Sequence, residues 1–139
     1  MIRRLILAAI LVGAGAAGTH AADTRGGVVV RIIDGDTFDI AIEGQGERRV
    51  RANHYDTPEH GHLAHCEAER DKARDATIYV RDKLLPPGTV VTLSDFGADG
   101  YGRTLATVRR IDGADIAQAM IAAGLAHAYE GGRKRPWCP

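Results

Sequence analysis

The chain has 139 residues, with 18 Lys and Arg against 18 Asp and Glu, so its formal charge is zero at neutral pH. Bulk charge therefore excludes a generally polycationic nucleic-acid binder, and any such affinity has to come from local clusters of cations. No internal repeat or low-complexity stretch occurs, and beyond the N-terminus no segment approaches the roughly 20 apolar residues of a membrane helix.

Met1-Ile2-Arg3-Arg4, the apolar run Leu5 to Gly18 and the small residues of Thr19-His20-Ala21 form the pattern of a secretory signal. Residues 1–21 are therefore read as a signal peptide and residues 22–139 as one domain, located in the periplasm or secreted. Removing the signal leaves 118 residues, with 16 basic against 18 acidic side chains, enough for a single core.

From Gly27, Val28 to Ile33 and Thr37 to Ile42 read as two β-rich runs around Asp34-Gly35-Asp36, a hairpin pattern. Gly44-Gln45-Gly46 turns the chain again, and Glu47 to Tyr55 supplies a third extended run. Asp56-Thr57-Pro58-Glu59 breaks it, and a His-rich connection leads into a helix whose Ala73, Ala76, Val80 and Leu84 recur at helical spacing before Pro86-Pro87-Gly88. Val90 to Leu93 and Thr104 to Val108 are two further strands, separated by the Gly-rich Asp95 to Gly102. Asp115 is placed to N-cap a second helix carrying Ile116, Ala119, Met120 and Ala123, and Gly124 to end it. The stretch from Tyr129 to Pro139 is a basic tail without periodicity. This pattern predicts an α+β, mainly β, fold: a five-stranded β-barrel of OB-fold type with two to three helices, a form that commonly binds oligonucleotides on one face.

Two cysteines occur, Cys66 and Cys138, both beyond the signal. In an oxidising compartment a single disulfide is the simplest reading, and two unpaired thiols are the alternative.

Phosphodiester hydrolysis needs a positioned water, a cation that offsets phosphate charge, and donors aimed at the oxygens that gain charge. Asp36 ends the first hairpin turn and Asp56 closes the third run, so pairing of those strands brings two carboxylates to one rim. Hard oxygen ligands suit calcium or magnesium and suit zinc poorly. Glu59 stands within reach of a water near such an ion, and Arg51 and Arg103 carry planar forks that grip phosphate. Each feature has a bland alternative: turn chemistry for Asp34-Gly35-Asp36, a helix start for Asp56-Thr57-Pro58, surface ion pairs for the arginines. In the tail, Arg133, Lys134 and Arg135 are placed to steer a phosphate backbone, with Tyr129 or Trp137 available for stacking.

Four blocks in order, Ile33-Asp34-Gly35-Asp36-Thr37, then Arg51 with Asp56-Thr57-Pro58-Glu59, then Asp99-Gly100-Tyr101-Gly102-Arg103, then Gly124-Leu125-Ala126, resemble the staphylococcal nuclease-like (thermonuclease) family. The resemblance covers about Val28 to Tyr129. It implies an exported, calcium-dependent nuclease cleaving DNA or RNA, or both, to 3′-phosphate ends. It implies metal ligation by Asp36, Asp56 and the Thr57 carbonyl, and catalysis by Arg51, Glu59 and Arg103; substrate contacts at Tyr101, Tyr129, Arg133, Lys134 and Arg135 are expected from their aromatic and basic side chains, apart from the resemblance. A monomer acting on nucleic acid, free of the membrane once the signal is removed, is expected. The alternative is a non-catalytic nucleic-acid-binding OB module. Ala52-Asn53-His54-Tyr55 is more polar than the family's aliphatic strand, and His54, His60, His62 and His65 fit no closed zinc spacing and read as a solvated loop.

Overall fold

Alternation of inward- and outward-facing side chains sets the barrel. In the computed structural model, which describes residues 22–139, Val29 is 1% exposed while Val28 and Val30 on either side are 42% exposed. The segment read as a signal peptide lies outside the described residues.

In chain order the elements are β1 (Arg25–Ile32), β2 (Thr37–Ile42), β3 (Gly46–Ala52), β4 (Tyr55–Asp56), α1 (Glu67–Tyr79) continued by a π-helical turn (Val80–Leu84), β5 (Val90–Ala98), β6 (Thr104–Arg110), α2 (Ile116–Ala122) and β7 (His127–Ala128). Five strands close a barrel in the order β1-β2-β3-β6-β5, antiparallel throughout except for the parallel β3–β6 seam. This is the expected OB-type α+β fold with two helices. Its core gathers Phe38, Ile40, Val50, Val91, Leu93 and Ala106 from the strands, with Ala76 and Val80 from the α1 segment and Ile116 and Met120 from α2. On the outer face Asp39 sits directly opposite Arg31 and Arg49, at 2.6 and 2.9 Å.

Both helix-end readings hold. The Asp115 carboxylate accepts the Gln118 amide at 3.2 Å. Gly124 adopts φ +70°, so that its own amide reaches the Ile121 carbonyl and the Leu125 amide reaches that of Met120.

Two differences from the sequence reading matter for the site. The third run does not continue to Tyr55: after Ala52 the chain leaves the barrel through His54 in the left-handed region, at φ 76°. Tyr55 and Asp56 then pair instead with His127 and Ala128. The Tyr55 ring, fully buried, donates its hydroxyl to the Gly35 carbonyl at 3.0 Å, which anchors the detour. Second, β5 runs on to Ala98 past a register shift between Ser94 and Gly97, with Asp95 left-handed at φ 54°, so part of the Gly-rich connection is strand. The tail is packed. Trp137 stacks on His127 with ring centroids 3.6 Å apart, Lys72 lies 5.5 Å over the Trp137 ring, and Cys138 is disulfide-bonded to Cys66 at the start of α1. Among the described residues no helix is long and apolar enough to cross a membrane.

The disulfide closes a separation of 72 residues, worth on the order of 4 kcal/mol by chain entropy. Reductant should therefore lower the melting temperature, and an alkylating agent should find no thiol in the oxidised protein. Quantitative labelling of both cysteines without denaturant contradicts the pairing.

Candidate active site

The first hairpin turn carries the site because its apex has no room for a side chain. A Cβ on Gly35 would lie 2.8 Å from the Thr57 methyl and 3.1 Å from the Ala76 Cβ, so only glycine lets the 56–59 segment close over the turn. Asp34 accepts the Asp36 amide at 3.1 Å, and the Asp36 carbonyl accepts the Ala52 amide at 2.9 Å, fixing the end of β3 against the turn. Arg51 is the register partner of Thr37.

Asp36 is 7% exposed and Asp56 3%. Asp36 Oδ2 accepts the Thr57 amide at 3.2 Å and its hydroxyl at 2.9 Å, and Asp36 Oδ1 accepts the Thr37 hydroxyl at 3.1 Å. Arg51 Nη2 stands between the two carboxylates, 3.3 Å from Asp36 Oδ2 and 3.5 Å from Asp56 Oδ1, while its Nη1 donates to the Ala52 carbonyl. Lys134 Nζ bridges the next pair, 2.8 Å from Asp56 Oδ1 and 2.9 Å from Glu59 Oε1. The result is one chain of alternating charge, Asp36–Arg51–Asp56–Lys134–Glu59.

Burial shapes the protonation of this cluster. Desolvation, with the Asp36 charge second, pushes Asp34 up to about 6. Desolvation also raises Asp56, partly offset by Lys134. For Lys134 itself burial works against the charge, but the hydrogen bonds to Asp56 and Glu59 outweigh it and raise its pKa.

Arg103 is aimed by Asp99, whose Oδ1 accepts the Tyr101 and Arg103 amides and whose Oδ2 accepts Arg103 Nε at 2.7 Å. The guanidinium lies 5.5 Å over the Tyr101 ring, which is 86% exposed. Two adjoining hollows, of about 640 and 580 Å³, share Arg51, Tyr101, Arg103 and Lys134 as their common wall. The first is also lined by His54 and Tyr129, the second by Asp36, Thr57 and Glu59.

The structure thus brings Arg51, Glu59, Arg103, Asp36 and Thr57 to one cleft, with Asp56 joined to it through Arg51 and Lys134. Tyr129 lies beneath Lys134, at 6.0 Å from Nζ, whereas Arg133 and Arg135 are exposed on the tail. Lys134 differs from its expected steering role, since its ammonium is inside the carboxylate cluster. The histidines do not converge. His54 bonds Glu130 at 2.8 Å and Thr107 at 2.8 Å, His60 faces Asp34 at 3.5 Å, and His65 meets Glu69. Among the described residues, the one group of His, Cys and acidic ligand atoms within 4.8 Å of one another is Cys66, Glu69 and Cys138, and both sulfurs are committed to the disulfide. The Asp36, Asp56 and Glu59 carboxylates offer only oxygen, two of them are buried, and protein cations already stand between them. That donor set suits a hard divalent ion with retained waters, as calcium or magnesium prefers.

Sequence reasoning missed Glu69. It is 4% exposed and its carboxylate accepts the backbone amides of Glu59 at 3.2 Å and His65 at 2.8 Å, so it holds the loop that presents Glu59. The available signal was a glutamate at the third position of a helix opening at Cys66, where side chains reach back to preceding amides.

A family model described as "Staphylococcal nuclease homologue" matches residues 49–136. An "Uncharacterized endonuclease" of Escherichia coli is 36% identical over 104 residues, covering 75% of this chain and 61% of that protein, so the chain spans about three fifths of that relative's length. "Protein ParB" of Escherichia coli is 34% identical over 137 residues, covering 93% of this chain and 69% of the relative. "Endonuclease YhcR" of Bacillus subtilis is 29% identical over 108 residues, 74% of this chain but 9% of that protein.

Burial alone would raise the Glu69 pKa, but the amides of His65 and Glu59 outweigh it and hold the carboxylate below its usual range. A carboxylate with a lowered pKa stabilises the fold above its ordinary value of about 4.3, and that stability is lost as pH falls through the folded value. Glu69→Gln should therefore lower stability by about 2 kcal/mol at pH 7, with the difference from the parent fading between pH 7 and the acid side of the ordinary carboxylate range. Parallel melting curves across that range check it, and a deficit that persists unchanged into acid contradicts it.

Proposed function

The chain belongs to the staphylococcal nuclease homologue family, and from that premise we propose that it is a calcium-dependent nuclease hydrolysing phosphodiester bonds of DNA or RNA, or both. The observation that carries the reading is the meeting of Arg51, Arg103, Glu59 and Asp36 on one cleft, with Asp56 linked to Asp36 through a single guanidinium nitrogen. The endonuclease names of two relatives support it.

Asp36 and Asp56, with the Thr57 carbonyl, are the residues that would hold the ion. Bound calcium supplies a divalent charge that offsets the phosphate, together with exchangeable waters. Glu59 takes the proton of the attacking water as its oxygen bonds to phosphorus. Arg51 and Arg103 present charged N–H groups to the phosphate oxygens, whose charge grows in the transition state. The bond to the 5′ oxygen breaks, that oxygen takes a proton from solvent, and a 3′-phosphate end remains. Tyr101 and Tyr129 offer ring faces for bases along the same wall, and the exposed Arg133 and Arg135 attract the backbone from outside. Export is part of the proposal, supported by the signal-like residues 1–21 and by the disulfide.

Because the two arginines and Glu59 act chiefly in the transition state, Arg51→Lys, Arg103→Lys and Glu59→Gln should each lower kcat on the order of a hundredfold or more while the protein stays folded. Lysine does not restore the bidentate geometry of arginine. Near-parental turnover of all three folded variants under calcium overturns the catalytic assignment and leaves a nucleic-acid-binding OB module in its place.

A further inference from the structure

The tail reaches the site as a strap fixed at both ends. At its start the Tyr129 amide bonds the His54 carbonyl at 3.0 Å. At its finish Trp137 stacks on His127 and Cys138 is covalently joined to Cys66. Gly131 at φ 98° and Gly132 at φ 80° turn the chain between these anchors, in a conformation that residues with a Cβ rarely adopt. The Tyr129 hydroxyl, bonded to the Gly132 carbonyl at 3.0 Å, holds that turn. Of the three consecutive cations on the strap, Arg133 and Arg135 appear in no ion pair among the described residues, whereas the Lys134 ammonium is directed between Asp56 and Glu59 at 2.8 and 2.9 Å.

Asp56 Oδ1 already receives Arg51 Nη2 at 3.5 Å as well as the ammonium. A carboxylate oxygen that ligates a calcium ion does so at roughly 2.3–2.6 Å. Keeping the ammonium on that same oxygen would hold two positive charges within a few ångströms of one another on a carboxylate that is itself buried, which favours one occupant over two. The ion and the lysine therefore exclude one another at Asp56.

We propose that Lys134 is a tethered cation that occupies the Asp56 arm of the metal site, so that calcium binds by displacing it from Asp56 and the strap sets the calcium affinity. The inference rests on the reading of Asp36 and Asp56 as metal ligands. One consequence concerns Glu59. Its Oε1 is capped by Lys134 in the free protein, so the exchange that admits the ion also uncovers the oxygen proposed to accept the proton. The displaced ammonium stays on the cleft wall, because the strap is short and anchored at both ends.

The test is calorimetric titration of calcium into the oxidised protein without nucleic acid, comparing the parent with Lys134→Met, Lys134→Gln and Lys134→Arg. Loss of the competing charge in the Met and Gln variants should lower the calcium dissociation constant on the order of tenfold, a usual size for coupling between two bound species. The Arg variant keeps the charge and should stay near the parent. Two neutral variants keep the result from depending on the folding of either one. Unchanged or weaker calcium binding in both overturns the inference while leaving the metal-site reading intact. No calcium binding by the parent or any variant removes the metal-site reading and this inference together.

Discussion

Two carboxylates, Asp36 and Asp56, are held almost out of water at one rim of the barrel, and the rest of the site follows from how their charge is balanced. A buried carboxylate left unpaired is prohibitive for a domain whose whole stability is a few kcal/mol. Here each one is met by a cation, and the cations are shared: Arg51 between Asp36 and Asp56, Lys134 between Asp56 and Glu59. This alternation explains local features that look unrelated. Gly35 has no side chain so that Thr57 can close on Asp36. His54 takes up a left-handed backbone where the chain leaves the barrel wall, and Asp56 then meets Arg51 and Lys134. The strap carries two glycines so that its lysine can turn inward.

The barrel was legible in the sequence because its determinants are local. The β-rich runs containing Val29 and Phe38, the Asp-Gly turn between them, the N-cap at Asp115 and the glycine after α2 each act over a few residues, and the strands and helices fell near where those signals lie. The site's principal acids and arginines were legible through spacing within motifs. What was not legible depends on contacts between distant segments. The break after Ala52 is decided by Tyr55 reaching Gly35 and by pairing with His127 and Ala128, more than 70 residues on. Glu69 looks like one more helix former until its two amide partners are known. Lys134 looks like either neighbour in Arg133-Lys134-Arg135 until the disulfide and the Trp137 stack fix which of the three points inward.

This arrangement makes the site self-neutralised. Arg51 and Lys134 are engaged by carboxylates, and Arg103 is engaged by Asp99 and leans over Tyr101. On the proposed function a divalent ion takes over the balancing of Asp36 and Asp56, and the protein's own cations become available to the phosphate. Charge exchange of this kind keeps the phosphate-binding groups in place without leaving buried charge unpaired in either state. On the proposed function it also reconciles a nucleic-acid substrate with a chain of zero formal charge, since Arg51, Arg103 and Lys134 line one cleft.

The central claim is that this cleft hydrolyses phosphodiesters with a metal ion held by its buried carboxylates. It is tested most directly by incubating a labelled single-stranded oligonucleotide with the purified protein, with calcium or with excess chelator, and determining the chemistry of the new ends. The account predicts cleavage with calcium that leaves 3′-phosphate ends, and none in chelator. Cleavage that proceeds equally in chelator, or an intact oligonucleotide with calcium and folded protein, contradicts it.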